Sequence, residues 1–380
     1  MIERTTSHRR YPMTISGQAT AQGTQKYQSR HPCAPNHFRE EKGLVFSSIG
    51  IGTYLGEPDA RTDAAVTNAI VSAVQRGINV IDTAINYRYM HGERSVKSAL
   101  SRLVAELDIS REELIICSKG GFIPHPDPSG WFEREYINNS KFTIPESDIV
   151  AGCHCMHPEY LQDQLDRSLE NLGLDTIDIY YIHNPETQLS KVSPEKFYHR
   201  LYQAFTVMEA AVKSGKIKAY GLATWNAFRR GPTKINHIDL AHAKSLAGQA
   251  AGGSEDSFKF IQLPLNPTMP EALVKATQSV DNTLVPAIEA VRRLDIAPIA
   301  SAAIGQARNS NKIPAAMVSA LNESNLTEVM KALQFTRSSP GLLTALVGMK
   351  ATNHVTENLS LTAIEPLSED SWRAFLSEAG

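Results

Sequence analysis

From residue 45 onward, short apolar runs rich in β-branched residues alternate with longer segments whose apolar positions recur at helical spacing. The runs "VFSSIGIGTY", "INVIDTA", "LIICSKG", "IDIYYIH", "IKAYGLAT", "FKFIQLPL", "APIASAA" and "LTALVGM" predict eight strands. Between them, segments such as "TDAAVTNAIVSAVQRG", "ERSVKSALSRLVAEL", "PEYLQDQLDRSLENLG", "PEKFYHRLYQAFTVMEAAVKSG" and "LTEVMKALQFTRSS" predict helices, with Gly77, Gly173 and Gly215 at positions that end them. Several strand runs are apolar on both faces, as parallel strands covered by helices are. Eight such units predict an α/β protein, a single (β/α)8 TIM barrel over residues 43–380, with its active site where strands give way to helices. The competing doubly wound sheet would need a dinucleotide fingerprint. "GIGTYLG" at 50–56 misses it: the spacing is G-x-G-x-x-x-G, no helix opens directly after it, and Asp82 stands about 30 residues on where about 20 is expected.

Composition narrows the partners. Lys plus Arg number 38 against 40 Asp plus Glu, a formal charge of −2, so neither nucleic acid nor a membrane surface is expected as partner. No apolar run approaches the roughly 20 residues of a membrane helix, and no signal-type segment opens the chain, which predicts a cytoplasmic protein. Four cysteines, two of them one residue apart, make no disulfide framework. Residues 1–42 are polar and basic, with Glu3 the only acid before Glu40, and read as a loosely ordered extension; a targeting peptide is the lesser reading because no amphipathic period stands out. Oligomeric state is not legible, and a monomer is compatible with everything read here.

The strand ends carry the chemistry. Strand two ends at Asp82, with Tyr87 five residues on; strand three ends at Lys119 and strand four at His183. Each has a bland explanation on its own: a helix cap, a packed ring, a solvated end, a satisfied core histidine. Together they bring an acid, a base and an imidazole to one rim with a phenol beside them. An ammonium beside a phenol lowers its pKa from about 10, a carboxylate keeps that ammonium charged, and an imidazole can orient a bound carbonyl. The set delivers a proton to a developing alkoxide, as carbonyl reduction by hydride requires, and the hydride must come from a cofactor.

On these residues the chain resembles the aldo-keto reductase superfamily. "INVIDTAINYRYMHGERSVKSAL" is similar to its D-x-A-x-x-Y…G-x-E segment, "SKGG" to its strand-three lysine, and "RSLENLGLDTIDIYYIHNPE" to its S-L-x-x-L-x-x-x-x-I-D-x-Y-x-x-H-x-P segment, over roughly residues 45 to 362. The resemblance implies NAD(P)H-dependent reduction of a small aldehyde or ketone, with Tyr87 as general acid, Lys119 and Asp82 tuning it and His183 orienting substrate. It also implies cofactor contacts at Gly52, Thr53, Tyr54, Asp82 and Thr224, at Gln262 for the carboxamide, and at Met349, Lys350, His354, Glu357 and Asn358 in "LVGMKATNHVTENL" for the adenosine end, NADPH being expected before NADH. Four positions depart from the family pattern: Ala223 and Thr224 stand where Ser-Asn is common, Ala300 where an aromatic ring often stacks, and His354 where an arginine often meets the 2′-phosphate.

Two segments remain. Lys119 and His183 are 64 residues apart, and the excess, 120–157, predicts an enlarged loop on the catalytic face, with Trp131, Phe132, Tyr136, Phe142 and four prolines to pack it as a substrate wall or a shield. Its end, "GCHCMH", raises the question of metal. C-x-C-x-H lacks the usual gap and a second ligand pair, and extended backbone sends His154 to the side opposite Cys153, Cys155 and His157, so no metal site is expected. The thiols are expected to pack inward and His157 to sit at the start of a helix, with Pro158 at its first position. Two other readings stay open: a metal-assisted hydrolase using this cluster, and a cofactor-binding sensor with little turnover.

Overall fold

Runs of β-branched and aromatic residues without a polar face are stable only where helices shield them from water. A computed structural model of the chain describes residues 14–253, 255–305 and 326–372. In it the runs become β1 (Ile49–Gly52), β2 (Val80–Asp82), β3 (Ile115–Gly120), β4 (Ile177–His183), β5 (Ile217–Ala223), β6 (Phe258–Pro264), β7 (Ala297–Ser301) and β8 (Thr344–Gly348). All eight pair in parallel, in chain order, and close into a barrel through β8 and β1. The register sets the strand tips side by side: Gly52 opposite Asp82, His183 opposite Ala223, Ala223 opposite Gln262 and Gly348 opposite Gly52. The expected TIM barrel is therefore the observed fold.

Around it run α2 (Ala60–Val74), α3 (His91–Glu106), α4 (Pro158–Leu172), α5 (Pro194–Lys213), α6 (Leu240–Ala250), α7 (Ala287–Arg293), α8 (Glu328–Arg337) and α9 (Thr352–Leu359), after an N-terminal helix α1 (Ala21–Arg30). The local logic of α4 is representative. His157 caps it, Pro158 opens it, and Tyr160, Leu161, Leu165 and Leu172 bury one face; Gly173, at φ 65°, ends it in a left-handed conformation that costs a side chain energy.

Three features differ from expectation. The first strand run splits: Leu44–Ser47 pairs antiparallel with Phe38–Glu41, outside the barrel, and only Ile49–Gly52 joins it. Phe46 from this hairpin packs 6.0 Å from the Phe260 ring, in a cluster with Val80, Ile179, Tyr181 and Ile299, so the barrel interior is filled at its lower end. Residues 14–42, expected to be loosely ordered, carry α1. Thr20 caps it, Tyr27 is fully buried and donates its hydroxyl to Val74 O, and Gly23 lies so close to Glu112 that a Cβ would stand 2.3 Å from that carbonyl oxygen. Residues 1–13 of the extension lie outside the described residues. Finally, an antiparallel pair, Ala276–Val280 with Thr283–Pro286, follows β6.

Candidate active site

Asp82 at the tip of β2 and Lys119 on β3 meet inside the upper barrel. Lys119 Nζ donates to Asp82 Oδ2 at 2.6 Å, to Thr83 O at 2.8 Å and to the Tyr87 hydroxyl at 3.1 Å, and it is fully buried. A lone ammonium there would be too costly; a carboxylate and two oxygens satisfy it. Burial works against the Lys119 charge, yet Asp82 and the Tyr87 oxygen outweigh it and hold the ammonium's pKa above its ordinary value. Tyr87 behaves differently from expectation. Burial pushes its phenol pKa up, and the pull of Lys119 in the other direction does not overcome that, so the hydroxyl stays protonated through neutral pH. The Tyr87 and His183 rings lie 5.7 Å apart, edge to face. His183 is held neutral: burial, then the neighbouring Lys119 and His154, drive its pKa well below 6.5. Its Nδ1 is buried with no hydrogen-bond partner.

The turn that delivers Tyr87 is built for close approach. Arg88, Tyr89 and Met90 all have positive φ, and a Cβ on Gly92 would stand 2.9 Å from Thr83 Oγ1 and 3.0 Å from Tyr87 Cβ. Glu93 beside it is fully buried, accepting from Ser118 Oγ at 2.6 Å and Asn171 Nδ2 at 2.8 Å, which ties α3 to β3 and α4. The spacing of glycine and glutamate after Tyr87 thus has a packing reason.

A cavity of about 610 Å³ opens above these groups. Of the residues expected at a cofactor, Gly52, Tyr54, Asp82, Thr224, Gln262, Met349, Lys350, His354, Glu357 and Asn358 line it, together with Tyr87 and His183. Thr53 does not; its hydroxyl is spent on Asp82 O at 3.3 Å and Thr83 Oγ1 at 2.8 Å. Lys119 lies beneath the wall, bonded to Tyr87 as described. Gln262 Nε2 donates to Asp82 Oδ1 at 2.8 Å, so both carboxylate oxygens are engaged. The lining fits a dinucleotide on its own terms. Thr224 Oγ1 and Asn358 Oδ1 are buried on its wall without partners, and a Cβ added at Gly52 or Gly348 would meet nothing closer than 3.8 Å, leaving bare backbone for a ligand to approach. Lys350 and His354 are exposed beside the start of α9.

The long connection 121–157 contributes one residue, Phe122, to this cavity. Its other aromatics turn away: Tyr136 packs against Trp131, Phe132, Phe142 and Tyr160 at 4.9–5.6 Å and donates to Asp163 Oδ2 at 2.6 Å, fastening the loop to α4. Within "CHCMH", Cys155 is buried, with its thiol pKa pushed up to about 12 by burial, and His157 Nδ1 accepts from Glu159 N at 3.3 Å as the cap of α4. Among the described residues, no group of three His, Cys, Asp or Glu could hold a metal ion. Sequence reasoning passed over His154. It is fully buried and its Nε2 donates to His183 O at 2.8 Å, while Nδ1 accepts from Gln188 Nε2 at 2.9 Å. Arg200 fixes that amide by donating to Gln188 Oε1, and Asp148 in turn holds Arg200. The one signal for it in the sequence was the strand alternation that turned its side chain away from its neighbours.

A model of the Aldo/keto reductase family matches residues 48–230, a span that includes Asp82, Tyr87, Lys119 and His183. The solved structure of an aldo/keto reductase from Klebsiella pneumoniae in complex with NADP and acetate has the same fold, with TM-score 0.58 at 18% identity over 91% of this chain and 95% of that one. Residues 48–230 thus match the aldo-keto reductase family. The aldose reductase of Schistosoma japonicum also has this fold, with TM-score 0.58 at 17% identity, over 91% of this chain and 92% of that one. Curated relatives include a 6-dehydroglucose reductase of Novosphingobium aromaticivorans, 26% identical over 50% of this chain and 52% of that protein. An NADH-specific methylglyoxal reductase of Escherichia coli is 27% identical over 53% of this chain and 56% of its own. The chain spans about half the length of these curated relatives. Among the described residues, no helix is long and apolar enough to cross a membrane.

Proposed function

We propose that the chain reduces an aldehyde or ketone to the alcohol at the expense of NAD(P)H, with Tyr87 as proton donor. One observation carries the reading: a buried Asp82–Lys119 pair, bonded to a phenol that shares a cavity wall with a neutral imidazole. The dinucleotide, when bound, supplies the hydride. The residues of the chain supply the rest. His183 faces Tyr87 across the cavity, and as a neutral imidazole it can hydrogen-bond a substrate oxygen without competing for the proton. Tyr87 O–H then gives its proton to that oxygen as negative charge develops on it. Lys119 Nζ, already bonded to the phenol oxygen, stabilises the phenolate left behind, and Asp82 keeps the ammonium charged and in place. Phe122, whose ring stands 5.2 Å from His183, helps exclude water from this end.

NADPH is favoured over NADH because Lys350 and His354 present an exposed cation and an imidazole beside the start of α9, where backbone amides add donors for a phosphate. The test is single-turnover oxidation of bound NADPH by a panel of aldehydes and ketones, wild type against Tyr87→Phe. Retained cofactor binding with turnover reduced on the order of 100-fold or more is expected. Unchanged turnover in Tyr87→Phe would end the proposal.

A further inference from the structure

The turn that follows Tyr87 is held against its own preference. Arg88, Tyr89 and Met90 stand in succession at φ 51°, 54° and 74°, all left-handed, and none is a glycine. A residue with a side chain keeps that conformation only where its surroundings fix it. Backbone bonds from Met90 N to Ile85 O at 2.9 Å and from Gly92 N to Tyr87 O at 3.0 Å close the turn on itself. Its outer side is fastened by Arg88.

The Arg88 side chain is 1% exposed and, unlike Tyr87, takes no part in the cavity wall. It reaches instead into the seam between α2 and α3. Nη1 donates to Asp63 Oδ1 at 2.6 Å, and Nη2 donates to Ser95 Oγ at 2.9 Å and His91 O at 3.3 Å. Asp63, in the first turn of α2, also meets His91 Nδ1 at 2.7 Å and accepts from Ser95 Oγ at 3.1 Å. Burial works against its charge, but the bonds from His91 and Arg88 outweigh burial and hold the carboxyl below its usual range. A carboxylate on α2 therefore binds both the turn, through Arg88, and the first residue of α3. Such charge-assisted bonds are stronger and more directional than neutral ones. The accuracy matters at Tyr87, whose hydroxyl lies 3.1 Å from Lys119 Nζ, because a misplacement of about 1 Å at a reacting group costs on the order of 100-fold in rate.

We infer that Asp63 is a positioning residue for the proton donor: through Arg88 it holds the left-handed turn 88–90, and so keeps the Tyr87 hydroxyl in place between Lys119 and a bound carbonyl. The assignment rests on Tyr87 being the donor in carbonyl reduction, and it adds to that reaction a residue on α2 that lines no part of the cavity.

The test uses the NADPH-loaded full chain and the aldehyde of the panel that the wild type reduces fastest. Asp63→Ala is expected to lower kcat about 10-fold, with KM and the Kd for NADPH within about twofold. Asp63→Asn, which keeps an acceptor for Arg88, is expected to lose about threefold. Tyr89→Gly supplies a residue that adopts a left-handed conformation without strain, so in that background the loss from Asp63→Ala should shrink to about threefold. Amide exchange needs no turnover: in Asp63→Ala it should quicken at Met90, His91 and Gly92 and stay as in the wild type along β3 and β4. Unchanged kcat in Asp63→Ala overturns the positioning role while leaving carbonyl reduction standing. A fall in kcat joined by lost NADPH binding and faster exchange along β3 and β4, without relief from Tyr89→Gly, marks a general loosening and overturns it as well. If the wild type reduces no aldehyde or ketone although NADPH binds, carbonyl reduction itself fails, and the assignment fails with it.

Discussion

His154 and His37 are both fully buried, and burial lowers the pKa of each to about 4. Arg200 adds to the effect at His154, and the bond to His183 O opposes it. In the unfolded chain each imidazole titrates near 6.5. The folded pKa is the lower one, so the unfolded state binds the extra proton as pH falls through 6.5, and stability declines until the folded state titrates too, near 4. At pH 5 about 1.5 units of that span have been crossed, which is about 2 kcal/mol for each histidine. Replacing His154 with Gln leaves an amide at the position and removes the titration. The variant starts from lower stability at pH 7, since the bond to His183 O is lost or remade poorly. The expected signature is in the difference: between pH 7 and pH 5 the wild type loses about 2 kcal/mol more unfolding free energy than His154→Gln, with His37 common to both. Urea unfolding followed by tryptophan fluorescence at the two pH values measures it. An identical pH dependence in the two proteins would refute a buried neutral imidazole at 154.

Reduction by the wild type should stay level from about pH 6 to about 9, because the donor is the protonated phenol, held above its usual pKa of about 10, and His183 stays neutral over that range; the activity loss comes only on the alkaline side, and single-turnover rates against pH with a fall centred near neutrality would contradict it. Gly92→Ala places a methyl group 3.0 Å from Tyr87 Cβ and should lower kcat on the order of 10- to 100-fold with little change in cofactor Kd, as steady-state kinetics and fluorescence titration would reveal. Lys350→Ala should weaken NADPH binding about 10-fold and NADH binding within about twofold, a contrast that equilibrium titration of both cofactors checks.

Much of the barrel was legible because parallel strands buried on both faces leave long apolar runs. "IDIYYIH" became β4 residue for residue, and the other strand runs met theirs within a few positions, save the first, which splits between the outer hairpin and β1. Asp82, Lys119 and His183 at strand ends, with Tyr87 five residues past Asp82, stood out only together: each has a bland use on its own, and their gathering on one rim is what drew the proposed site. What escaped depends on partners distant in the chain. No period marks "AQGTQKYQSR" as a helix, yet α1 docks through Gly23 on Glu112 and through Tyr27 on Val74. The direction of the Tyr87 shift turned on how deeply the pair is buried, and residue types alone do not fix depth. Thr53 sits beside two cavity residues in sequence, but its hydroxyl found Thr83 first.

The bond from His154 to the backbone of His183 carries a consequence for descent and for engineering alike. Catalytic-face connections of barrels are the parts most freely exchanged to change what the enzyme accepts. In this chain, exchanging 121–157 also removes the imidazole that fixes the carbonyl of His183, and with it the contact of Gly121, where any Cβ would press within 2.9 Å of His154 Nε2. His154 holds that carbonyl only in company with Gly121, Gln188 and Arg200. A loop grafted here from another barrel would arrive without its anchor.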